Sequence, residues 1–165
     1  MANATHDVVG IGNAVLDVIA HADEAFLQKH GLIKGTMRLV DGGEAERLYA
    51  DMGPGVEMSG GSVANTMAGI ASLGGRAGFL GKVRDDTLGQ VFRHDITAAG
   101  VTYRMEAATS GPATARCLIL VTPDAQRTMN TFLGACVELG PEDLDHALIE
   151  GAAVTYLEGY LFDPP

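Results

Sequence analysis

The sequence predicts an α/β fold: a layered, largely parallel sheet with helices packed on it, and a smaller sheet projecting from the main one. Three observations carry that expectation. Short apolar runs alternate with segments of helical period along most of the chain. Glycine is abundant, at 22 of 165 residues, which suits many tight strand–helix connections better than a helical bundle. The stretches near 14–58 and 101–132 hold more strand than that alternation allows, so they are assigned to the projecting sheet.

Taken in order, residues 7–19 alternate apolar runs with glycine and read as a buried first strand and its exit. Residues 23–30 read as a short helix stopped by Gly31. A strand follows at 36–40, then a helix at 44–52 with Ala45, Leu48 and Tyr49 on one face. Gly53-Pro54-Gly55 breaks the chain before a short strand at 56–59. Residues 61–73 form a helix in which Val63, Met67, Ile70 and Ala71 share one side, ended by Gly74-Gly75. A strand at 76–83 leads to a helix at 86–98, opened by a Thr87-x-x-Gln90 capping pattern and striped by Leu88, Val91, Phe92 and Ile96. Strands are expected at 101–105, 113–122 and 127–132, the last two joined by a turn at Pro123-Asp124. Pro141 opens a further helix, and 152–158 reads as a final buried strand.

Bulk composition narrows the function. At 47% hydrophobic and 19% charged residues the chain is not disordered. Its net charge of −10, with no basic run, argues against nucleic acid or an anionic membrane as partner. Positive charge is local, at Arg76, Lys82, Arg84, Arg116 and Arg127. Cys117 and Cys136 sit in no C-x-x-C pair, which predicts free buried thiols and a reducing, cytoplasmic setting. The polar stretch 1–7 does not read as a signal peptide, and no apolar run is long enough to span a membrane.

Two segments carry chemistry. In Ser59-Gly60-Gly61-Ser62-Val63-Ala64-Asn65-Thr66, paired glycines at a helix start let a ligand approach the backbone and its unpaired N–H groups. Asn65, about one turn in, can donate to and accept from a hydroxyl. In Gly12-Asn13-Ala14-Val15-Leu16-Asp17, a carboxylate ends an apolar strand and can accept from two hydroxyls at once. The bland alternatives are a plain Gly-Gly turn and a turn-capping aspartate. Gly10-x-Gly12 suggests a dinucleotide site and an oxidoreductase, but the third glycine's position is Val15 and no helix follows. Asp85-Asp86 reads as a helix entry, not a metal pair.

These two segments, extended by Gly81-Lys82-Val83-Arg84-Asp85-Asp86-Thr87-Leu88-Gly89, resemble the PfkB (ribokinase-like) carbohydrate kinase family, over essentially the whole chain. Residues 26–32 and 46–49 tilt the likeness toward its nucleoside kinases. The resemblance implies a ribokinase-like sheet with helices on both faces and a small β lid, and ATP-dependent phosphorylation of a hydroxymethyl group on a ribose-containing nucleoside or a sugar. It implies that Asp17 and Asn65 hold ribose hydroxyls, that Gly60 and Gly61 line the pocket, and that Ser62 and Val15 lie near a base. It places Met129 and Thr131 on the lid facing the base, Arg127 near the transferred phosphate, and Glu158 as a sugar-contacting carboxylate. Residues 1–165 correspond to the family's N-terminal, substrate-binding part. The Gly-Ala-Gly-Asp segment with its general base, the Asn-x-x-Glu motif and the parts that bind ATP and Mg2+ are expected beyond residue 165. The chain alone is therefore expected to be inactive, with no catalytic residue and no metal site of its own. The expected partner is a small nucleoside or sugar, with a homodimer through the lid or a free sheet edge. The rival reading is a nucleoside- or sugar-binding half-domain without catalysis.

Overall fold

The computed structural model describes residues 4–163; part of the polar N-terminal stretch and Pro164-Pro165 lie outside them. A central three-stranded sheet is parallel throughout, in the order β5-β1-β8, with β1 (His6–Ile11), β5 (Ala77–Leu80) and β8 (Ala152–Leu157). Side chains alternate along β1, so its two faces meet different helices. A Cβ at Gly10 would collide with Val63 of α3 (Ser62–Ser72), so only glycine lets this helix lie so close. On the other face Val9 and Ile11 pack with Leu80 and with Leu148 of α5 (His146–Glu150). Helices thus cover both faces, as an α/β layered fold requires.

A second, five-stranded sheet has the order β3-β7-β6-β2-β4. It comprises β2 (Val15–His21), β3 (Met37–Leu39), β4 (Gly55–Gly60), β6 (Ala115–Val121) and β7 (Arg127–Phe132). β2 runs parallel to β6 and antiparallel to β4, while β6 and β7 form a hairpin. One face is buried: Leu16, Val18, Leu118 and Leu120 join one core with Leu27, Ala45, Leu48, Phe92 and Ile96. Those residues come from α1 (Glu24–Lys29), α2 (Gly42–Asp51) and α4 (Thr87–Ala98). The opposite face carries a small cluster of its own, Val15, Ala115, Cys117 and Ile119 packed with Cys136, beside half-buried Asp17 and Ile19; only on its margins are Met37, Leu39, Val56 and Met58 exposed.

Several expectations need correction. Residues 7–19 are two strands in two sheets, because the chain turns out of the central sheet at Gly12-Asn13-Ala14. Since β1 is followed by a strand, the Gly10-x-Gly12 dinucleotide reading fails: the helix whose N-terminus would hold a pyrophosphate is not there. Residues 101–105 form no strand; Thr102 makes a single bridge to Gly78, at the edge of the central sheet. The cap of α4 is Asp86 rather than Thr87, its carboxylate accepting the Gly89 N–H at 2.8 Å. Pro141 opens one 3-10 turn, and α5 starts later, under Asp145. Finally, β8 is not buried: it pairs only with β1, and Val154, Tyr156 and Leu157 are exposed.

Candidate functional site

The candidate site forms where the Asp17-bearing face of the second sheet meets the start of α3. Strand pairing sets its floor. Val15 pairs with Gly60 and Ala115, and Asp17 pairs with Met58 and Cys117. Cys117 in turn pairs with Thr131, and Ile119 with Met129. Directly paired residues share a face, so Val15, Asp17, Met129 and Thr131 all stand on the same side. Thr131 Oγ1 lies 3.3 Å from Cys117 Sγ, next to Asp17.

Asp17 is half-buried, and burial alone pushes its carboxyl up to about 6, with no hydrogen bond or cation opposing it. Its carboxylate rests against the Cα of Gly60, where a Cβ would collide with it. Gly61 follows with φ of 101°, in the region that favours glycine, and a Cβ there would strike the Asn13 carbonyl. The chain then enters α3.

The helix starts differ in a telling way. α1, α2, α4 and α5 each begin under an aspartate, Asp23, Asp41, Asp86 and Asp145, whose carboxylate accepts the N–H three residues on. α3 begins at Gly61 with no side-chain cap, so its first-turn N–H groups stay available. Ser62 and Asn65 are exposed on that turn, and the Asn65 N–H donates to the Gly61 carbonyl at 3.0 Å. A helix N-terminus alone favours an anion. Asp17 already places a carboxylate beside this one, which turns the site toward neutral groups that donate as well as accept. Vicinal hydroxyls have that character.

Two expected residues stand apart. Arg127 is exposed and pairs with Val121 at the outer end of β7. It is on the site face but four residues from Thr131, about 13 Å along the strand. Glu158 is buried, at 4% exposure, and its Oε2 accepts the Asn13 N–H at 2.5 Å. It braces the turn between the sheets, leaving Oε1 as the atom it could offer a ligand. The thiols of both free cysteines are raised by burial, Cys117 to about 11 and Cys136 to about 12. Both are therefore neutral near pH 7. Nothing in the sequence pointed to Cys117 as a neighbour of Asp17; only the β2–β6 register does. A separate hollow of about 390 Å3, lined by Ile11, Asn13, Cys136, Leu139, Leu144 and Leu157, holds no charged side chain.

Among the described residues no group of three His, Cys, Asp or Glu side chains could hold a metal ion. Asp86 is already engaged by Gly89 and Thr114. No helix of the described residues is long and apolar enough to cross a membrane.

A parallel sheet sandwiched by helices, with a β lid joined to it at a Gly-Gly helix start, defines the ribokinase-like fold. The family model for pfkB family carbohydrate kinases matches residues 51–165, and the chain belongs to that family. Among solved structures it is similar to adenosine kinase from Sinorhizobium meliloti, with 56% identity and a TM-score of 0.87 over 98% of this chain and 50% of that one. It is 27% identical to the guanosine-inosine kinase of Escherichia coli strain K12, over 93% of this chain and 37% of that protein. With the adenosine kinase of Saccharomyces cerevisiae it shares 28% identity over 94% of this chain and 48% of that protein. The chain thus spans half or less of the length of these relatives.

Proposed function

We propose that this chain is the substrate-binding part of an ATP-dependent kinase that phosphorylates a hydroxymethyl group of a ribose-containing nucleoside, with adenosine or another purine nucleoside ahead of a free sugar. The observation that carries the reading is Asp17: a half-buried carboxylate without a hydrogen-bond partner among the described residues, packed against Gly60, two residues before α3 starts uncapped. A desolvated carboxylate with a raised pKa and no protein partner is a candidate ligand position. The kinships to adenosine and guanosine-inosine kinases support the nucleoside.

In this reading Asp17 accepts from two ribose hydroxyls, and Asn65 donates to and accepts from the same diol. Gly60 and Gly61 let the sugar lie on the backbone. Val15 and Ser62 flank the base, and Met129 and Thr131 cover it from the lid. Arg127 reaches the phosphate only if the lid swings inward, a closure that also shuts water out. Glu158 acts first through Asn13. ATP and Mg2+ belong to the whole protein, and none of the described residues is assigned to hold either. The free buried thiols and the lack of a membrane-crossing helix among the described residues support a cytoplasmic enzyme. The exposed apolar residues at the margins of the lid and along β8 support a homodimer through the lid or the free sheet edge.

The test is an assay of the full-length polypeptide with ATP and Mg2+ against adenosine, guanosine, inosine, ribose and fructose. Phosphoryl transfer to a nucleoside, lost in Asp17→Asn together with binding, is the expected result. Transfer to none of them, with nucleoside binding retained, would leave a binding module instead. Turnover by residues 1–165 alone would overturn the division of labour.

A further inference from the structure

α4 touches the lid at two places. Its capping residue Asp86 accepts from the backbone N–H and hydroxyl of Thr114, fully buried just before β6. Two turns on, Asp95 Oδ2 accepts from the Ser59 N–H at 2.6 Å and from the Ser59 hydroxyl at 2.7 Å. The body of α4 is locked by Phe92, between the two, and by Ile96, just after Asp95, both buried in the core.

Ser59 precedes Gly60. β4 is an edge strand, paired to β2 alone, and Asp95 sits on its outer side. Ser59 pairs with Leu16, so its side chain points to the helix face, away from Asp17 and any ligand. Asp95 forms no ion pair among the described residues, and the two Ser59 donors are what it holds. Bonds to an ionised acceptor are the strong kind. No side chain caps α3 after Gly61; Val63 and Ala64 anchor its first turn in the core, while the strand residues just before it are held from the helix side by Asp95.

We infer that Asp95 is a positioning residue of the substrate site: through Ser59 it fixes Gly60 and Gly61, and with them the surface against which Asp17 and Asn65 grip a hydroxyl-bearing substrate. This rests on the polyol reading of the site proposed above. Asp95 touches no substrate and takes no part in phosphoryl transfer.

The experiment compares the full-length wild type with Asp95→Asn, Ser59→Ala, Ser59→Thr and the Asp95→Asn/Ser59→Ala double variant. Readouts are KM and kcat for adenosine and guanosine, their binding by calorimetry, and the melting temperature. Asp95→Asn keeps an acceptor but removes its charge, and should raise nucleoside KM and Kd about three- to tenfold, with kcat within about threefold. Ser59→Ala, which keeps the backbone bond, should cost less, and Ser59→Thr should restore it. The double variant should be no worse than Asp95→Asn alone, because the hydroxyl acts only through the carboxylate. A lowered melting temperature with unchanged KM, or effects that multiply, would overturn the proposal. If Asp95→Asn does not fold, Ser59→Ala decides: an unchanged KM there is equally fatal. Wild type that binds no nucleoside or sugar would bring down the polyol reading and this inference together; wild type that binds, with variants that bind equally well, brings down this inference alone.

Discussion

Replacing Asp17 by asparagine should stabilise the fold near neutral pH while destroying the site. Burial raises the Asp17 carboxyl from its ordinary 3.8 to about 6. At 1.36 kcal/mol per pKa unit that is about 3 kcal/mol of penalty on the ionised form. Part of the side chain reaches solvent, which reduces the penalty to about 1–2 kcal/mol. The sign follows from linkage. The folded state binds the proton more tightly than the unfolded state, so the penalty is complete above about pH 6 and gone below 3.8. Wild type should therefore gain stability from this residue as pH falls from 7 toward 4. The asparagine variant, of nearly the same shape and never charged, should lack that gain. Near pH 7.5 the variant should melt higher by about 2–8 °C, taking about 2–4 °C per kcal/mol for a chain of this size. Thermal melts of both proteins by circular dichroism at pH 7.5, 6 and 4 check this. A variant that melts at or below wild type at pH 7.5, or a gap that does not close by pH 4, would refute the claim that Asp17 is an unpaid charge. The same pKa sets binding: wild-type affinity for adenosine should weaken about tenfold per pH unit below 6, as protonation removes the acceptor. A stabilised variant that has lost the ligand is the signature of a functional rather than a structural carboxylate.

Three further outcomes are expected. Gly61→Ala should cost at least about 2 kcal/mol in chemical denaturation, since alanine is strained at φ of 101° and its Cβ meets the Asn13 carbonyl. Asp86→Ala should cost about 3 kcal/mol in the same assay, because it removes the cap of α4 and strands the N–H and hydroxyl of buried Thr114. Arg116 is 7% exposed, its Nε and Nη2 have no hydrogen-bond partner among the described residues, and its guanidinium lies 5.9 Å from the ring centres of Tyr49 and Phe132. Arg116→Met should be neutral or stabilising by about 1 kcal/mol in a thermal melt, since an apolar side chain of similar size avoids burying an unpaired charge.

What could be read from the sequence was what short-range pattern decides. The helix expected at 61–73 is Ser62–Ser72 and that at 86–98 is Thr87–Ala98, because each carries its own apolar stripe and glycine stop. The turn out of the central sheet was hidden because both flanking runs, 8–11 and 14–16, are apolar. The bond that fixes it joins Asn13 to Glu158, separated by 145 residues. The run at 101–105 has a strand's composition, but only Thr102 finds a partner in the register, on the four-residue β5. At the site, Asp17 and the Gly60-Gly61 pair were legible by residue type. Cys117 and Asp95 were not: one is placed by β2–β6 pairing, the other by the packing of α4 on β4.

The local rule that fails is the informative one. The chain caps a six-residue helix, a five-residue helix and two longer ones with aspartate. At α3, eleven residues long, it places glycine instead and holds the Asp17 carboxylate against the preceding Gly60 rather than on the helix start. An aspartate at position 61 would satisfy those N–H groups and cost nothing in composition. It would also fill the approach that two glycines leave open and sit in a backbone conformation that suits only glycine. Stability that ordinary capping would supply is absent at the one helix terminus facing a half-buried, unpaired acid. Local inconsistency of that kind is expected where a ligand, rather than the chain itself, completes the hydrogen bonding.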